Sequence, residues 1–133
     1  MQEFSVSLDI ISTDSSLKDL TAQLGLEPSE ASHDRGSPRA RKSFWEETVW
    51  RLESDASASA SLEVHCQDLL AKARAAGVLE SIRRLQKAEA LINIAAFFDT
   101  AMCTVTIPRV CLEAIRDYSF GLQVTCYPSD MDG

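Results

Sequence analysis

Glycine is scarce in this sequence, five residues that never cluster, so the backbone loop that cradles phosphates in nucleotide-binding folds is missing. Cysteine is sparse and scattered: Cys66, Cys103, Cys111 and Cys126 make no C-x-x-C pair and have no histidine at zinc-finger spacing, which sets aside the common structural zinc sites. No apolar run approaches the roughly 20 residues that cross a bilayer. Residues 1–17 hold no Lys or Arg and alternate where a secretory signal would be continuously apolar. A membrane partner is therefore not expected, and the cytoplasm is the expected location.

Positive charge is also in deficit. Asp and Glu outnumber Lys and Arg by 20 to 13, a net charge of −7, with a pI near 4.7. Such a field repels nucleic-acid backbones and attracts basic proteins. The cations that exist are uneven: Arg35, Arg39, Arg41 and Lys42 against Asp34 give residues 34–42 a local +3, leaving −10 for the remainder. With 45% hydrophobic and 25% charged residues in 133 positions, the chain has the composition of one folded domain able to bury a core without staples.

Periodicity supplies the elements. Phe4, Val6, Leu8 and Ile10 alternate with Ser5, Ser7 and Asp9, which predicts a half-buried strand whose polar side faces water. Asp14 is placed to cap a helix carrying the stripe Leu17, Leu20 and Leu24, ended by Gly25 and Pro28. Residues 27–43 have no period and read as a long exposed loop. Phe44 to Glu53 is β-prone, with Phe44, Thr48, Trp50 and Leu52 on one face and Trp45, Glu47, Val49 and Arg51 on the other. Trp50 is expected inside and Trp45 partly exposed.

Leu62, Cys66, Leu69, Leu70 and Ala73 make the stripe of the most regular helix, closed by Gly77, and Val78 to Lys87 predicts a shorter one. Residues 89–98, EALINIAAFF, read as a central strand covered on both faces, and Cys103, Val105 and Ile107 as its hairpin partner. Pro108 opens a helix buried through Cys111, Leu112 and Ile115. Leu122, Val124 and Cys126 then alternate in a last strand, and residues 128–133 read as a frayed tail. The expected class is α+β, a mostly antiparallel sheet of about five strands with helices on one face, in the order β-α-β-α-α-β-β-α-β. All four cysteines fall in these elements on apolar faces and are expected as reduced core thiols, although the even count permits two bridges in an oxidising compartment.

Several stretches resemble the small bacterial proteins catalogued as domain of unknown function 4279: FSVSLDI, LTAQLGLEPS around Gly25 and Pro28, Gly36 before the basic loop, WRLES, HCQDLLAKA and FGLQVTCYP. The resemblance spans residues 4–128. It implies a compact α+β domain without an established reaction, some of whose relatives look like immunity or partner-binding proteins, and it carries no catalytic residue to this chain.

Among candidate sites, Arg39, Arg41 and Lys42 with Trp45 and Arg51 form the expected binding group, since Trp and Arg dominate interface energetics. Its bland counterpart is a solvated loop paired with Glu46 and Glu47. His65 beside Cys66 suggests a metal or a nucleophile, but adjacent helical residues point about 100° apart, so a surface histidine next to a core cysteine is the simpler reading. Asp9, Asp14 and Asp19 show no paired-carboxylate pattern, Asp9 and Asp19 lying on outward faces. No cofactor or metal is expected. The sequence points to a non-enzymatic domain, an immunity or adaptor protein neutralising a basic protein partner. The alternative is a small-molecule or nucleotide-binding domain that closes the 27–43 loop over its ligand.

Overall fold

A computed structural model describes residues 2–39 and 43–128 of the chain. In order, its elements are β1 (Gln2–Ser12), α1 (Leu17–Leu24), β2 (Pro38–Arg39), β3 (Ser43–Phe44), β4 (Thr48–Glu53), α2 (Leu62–Ala75), α3 (Val78–Ile82), β5 (Ala88–Phe98), α4 (Arg109–Tyr118) and β6 (Gly121–Pro128). The main sheet runs β4-β1-β5-β6, with β2 and β3 as a separate ribbon. β1 is antiparallel to both β4 and β5, while β6 joins β5 in parallel. The class is α+β, as expected, but the sheet is mixed and four-stranded.

The apolar side of β1 is as read, Val6, Leu8 and Ile10 being buried with Trp50 and Leu52 of β4 and Ile92 and Ile94 of β5, but Ser7 and Asp9 on its polar side are buried too. The helices cover this face through Leu20 and Leu24, Leu69 and Leu70, Leu79, and Cys111. The core thus lies on one side of the sheet, and each fully buried aliphatic side chain in it contributes about 2 kcal/mol of transfer free energy. Gly25 ends α1 with φ 76°, its N–H bonded to Thr21 O at 2.8 Å.

Several expectations change. The cap of α1 is Ser16, whose Oγ accepts from Asp19 N–H at 3.1 Å, not Asp14. Ser12 Oγ accepts from the N–H groups of Asp14 and Ser15, and the helix starts two residues later than expected. Residues 103–107 form no strand. β5 has two edges, one taken by β1 and the other by β6, so no ladder position remains for a hairpin partner. The connection instead leads through α4 to the parallel β6, as parallel pairing requires. β5 is covered on one face only, with Ile92, Ile94 and Ala96 buried and Phe97 exposed.

Phe44 separates from β4 because residues 45–47 bend away, and it is exposed. α3 stops at Ile82, and in α4 Ala114 is buried while Leu112 is exposed. His65 is buried, not on the surface: it shares the stripe of Leu62 and Leu69, and its Nδ1 lies 2.9 Å from Ser54 Oγ. Cys66 and Cys111 are core thiols, but Cys103 is half-buried in the connection and Cys126 is exposed. A hydrogen bond with Cys111, then burial, pushes the Cys66 thiol well up from its ordinary value, which keeps it protonated and inert. The tail expected at 128–133 lies, beyond Pro128, outside the described residues.

Candidate functional site

The face of the sheet turned away from the helices is polar, and its centre is Asp9. The expectation that Asp9 faces water fails: the residue is 2% exposed. Strand register puts Arg51 of β4 directly beside it. Arg51 Nε and Nη2 donate to the two carboxylate oxygens at 2.9 Å each. Ser7 Oγ donates at 2.8 Å and Asn93 Nδ2 at 3.3 Å. Four donors fill the acceptor capacity of one carboxylate, which leaves Asp9 no lone pair for a metal or a reacting proton. The Asp9 hydrogen bonds hold the Arg51 guanidinium above its ordinary pKa. Arg51, expected as a free binding cation, is thus first a partner of Asp9.

Residues 27–43 read as an exposed loop, and its described part is closely tied to the sheet. Ser29 N–H bonds to Arg51 O at 2.7 Å, and Ser32 Oγ accepts from Arg51 N–H at 2.8 Å. His33 and Val49 exchange both backbone bonds, at 3.0 and 2.9 Å. Asp34 Oδ1 accepts from Leu17 N–H, and Arg35 Nη1 donates to Thr13 O, both at 2.6 Å. Gly36, with φ 81°, turns the chain so that its N–H reaches Trp45 O at 2.8 Å. Serine hydroxyls and backbone groups thereby complete the outer edge of β4.

This loop delivers His33 flat against Trp45, ring centres 3.7 Å apart and planes 15° apart, with the Arg39 guanidinium 4.4 Å from the indole centre. Burial, then the nearby Arg51 and Arg39 charges, lowers the His33 pKa, so the ring is neutral at neutral pH. His33, Arg39, Trp45, Glu46, Glu47 and Arg51 line an open hollow of about 380 Å³. A second hollow of about 230 Å³ adjoins it across Arg51, lined by Ser7, Glu53, Asn93, Phe97 and Tyr127. The Phe97 and Tyr127 rings stack there at 5.1 Å.

Of the residues singled out in the sequence, Arg39, Trp45 and Arg51 meet at one hollow, while Arg41 and Lys42 lie outside the described residues. The sequence reading missed Asp9, Asn93 and His33. Asp9 and Arg51 sit on polar faces of their strands, so charge was visible, but their register was not. No group of three or more His, Cys, Asp or Glu side chains is arranged to hold a metal ion among the described residues. No described helix is long and apolar enough to cross a membrane.

These features define an α+β domain with a one-sided core and a groove-bearing polar sheet face. The chain belongs to the family described as "Domain of unknown function (DUF4279)", which it matches over residues 2–129. Neither the curated proteins nor the solved structures contain a match.

Proposed function

We propose that the chain is a non-enzymatic binding domain, in an immunity or adaptor role in the cytoplasm, that holds a basic protein partner on the open face of its sheet. The observation that carries this reading is the charge left available there. Asp9 and Arg51 cancel one another, while Glu46, Glu47, Glu53 and Glu89 line the hollows of that side and outnumber the remaining cations there, Arg39 and Lys87. Trp45 at one end and Phe97 with Tyr127 at the other supply the aromatic anchors that dominate interface energy. Carboxylates around such a surface steer a cationic partner and act mainly on its rate of association.

The test is affinity capture of the tagged chain at low and high salt, followed by kinetics on the captured protein. A basic protein released by salt should lose association rate on combined Glu47→Gln, Glu53→Gln and Glu89→Gln substitution. Trp45→Ala should cost more affinity than Trp45→Phe. Binding indifferent to the three carboxylates overturns the reading.

A second reading has its own observation. The hollow of about 380 Å³ beside Arg39 and Trp45 falls within the size range of ligand pockets. A metabolite that raises the melting temperature of the wild type but not of Arg39→Ala would favour a small ligand instead. Glu46 and Glu47 on the same walls oppose a nucleotide's phosphates.

A further inference from the structure

The two edges of the sheet are finished differently. β4 is sealed by residues 29–33, as described above. Among the described residues no strand pairs with the outer edge of β6. An unpaired edge in a monomer is ordinarily blunted by charge, by a bulge or by a short strand. β6 has none of these: it runs for eight residues, GLQVTCYP, without one charged side chain, and its proline stands at the very end.

The cover over β6 is incomplete as well. Leu122 and Val124 stand in register with Ile92 and Ile94, which are 1% and 0% exposed, yet they remain 40% and 39% exposed. They are core-face positions that the helices do not roof. Leu112 on α4 and Tyr127 on the opposite face are 50% and 47% exposed.

We infer that β6 is the contact through which two copies of this chain pair, strand against strand and antiparallel, to make one continuous eight-stranded sheet. Charge selects this occupant. A cationic partner is drawn to the carboxylates around β4, and β6 has none to offer. Two copies each carrying −7 repel unless they meet where both are neutral. β6 meets that condition, and joining there places both β4 edges at the far ends of the sheet. Glu46, Glu47 and Glu53 then stand about three strand spacings, roughly 14 Å, from the junction, beyond the screening length of about 8 Å.

Symmetry also fits. A two-fold axis perpendicular to the sheet keeps each residue on its own face, so opposed residues must share parity. Pairing centred on Val124 sets Leu122 against Cys126 of the second copy, and pairing centred on Thr125 sets Val124 against that Cys126. Both registers cover the half-exposed apolar positions. The two open faces would lie side by side, each with its own groove.

Sedimentation velocity of the full chain from low to high micromolar concentration tests this directly. The expected result is a reversible rise from 14.6 kDa toward twice that mass. Val124→Lys, which sets a charge opposite its own image in one register and diagonal to it in the other, should weaken pairing by about tenfold or more while leaving circular dichroism and melting of the monomer unchanged. Glu47→Lys, at the other edge, should leave pairing intact. Hydrogen exchange of the wild type should gain protection with concentration at residues 121–128 and not at 48–53. A chain that stays monomeric throughout, a Val124→Lys variant that pairs as well as wild type, or protection gained elsewhere would each overturn the inference.

Discussion

β4 and β6 bound the same sheet and share its core, yet one is closed by its own loop and the other has no partner strand among the described residues. On β4, the N–H groups of Val49, Arg51 and Glu53 are accepted by His33 O, Ser32 Oγ and Ser29 Oγ. On β6 the burial pattern is exposed at every position but Thr125. The difference teaches that residues 29–33 act as part of the sheet. Polar and glycine-bearing sequence can finish an edge when hydroxyls stand in for a strand's own donors and acceptors. It also explains why charge collects on one side: the loop that seals β4 brings Arg39, Glu46 and Glu47 to the groove.

The comparison breaks hardest at Arg51, which bonds Asp9 through its side chain and the loop through its backbone. Arg51→Ala leaves a buried carboxylate without its counter-charge, and about 3 kcal/mol of stability should be lost. Joint replacement by Asp9→Leu and Arg51→Met should cost far less, because no unpaired charge remains. Urea melting of the three chains checks this; equal losses would show that packing, not charge, holds the centre of the face.

A smaller effect isolates the seal. Ser32→Ala removes the acceptor of Arg51 N–H and should cost about 1 to 2 kcal/mol. Thr125→Ala on the bare strand should stay within about 0.5 kcal/mol. Comparable losses at the two sites would mean that the edges are not as different as their hydrogen bonds indicate.

How much of this was legible follows from what periodicity can encode. The buried faces of β1, α1 and α2 were readable because Val6, Leu8 and Ile10, or Leu69, Leu70 and Ala73, state a period within a few residues. His65 was readable too, three positions after Leu62 and four before Leu69, had its polarity not been taken for exposure. Register was not readable. Asp9 meets Arg51 across 42 positions and Asn93 across 84, and nothing local distinguishes those partners from Arg39 or Gln123. The alternation of Cys103, Val105 and Ile107 reported an apolar side correctly, Val105 and Ile107 packing on the core, but alternation does not say whether a neighbouring edge is free. The candidate site was legible as residue types, Arg39, Trp45 and Arg51, and illegible as an arrangement.

The smallest expected effect concerns pH and acts on one edge only. His33 titrates near 6.5 in the unfolded chain, and in the fold burial, then Arg51 and Arg39, lower its pKa. Below about 6.5 the unfolded state therefore binds the proton more readily than the native state. The stabilisation is fully present above that value and is lost as pH falls toward the lower folded pKa. Because His33 holds Val49 through both backbone bonds and stacks on Trp45, the loss should appear first as opening of the seal. Amide exchange at Val49, corrected for the intrinsic rate, should quicken as pH drops through this window. His33→Phe, which keeps a ring against Trp45 but cannot take the proton, should flatten that dependence. Residues 121–128, read on Val124→Lys so that pairing does not intervene, should show no such response, since no histidine belongs to their strand. Parallel loss of protection at both edges would point to global unfolding and would remove His33 as the reason the β4 edge is pH-sensitive.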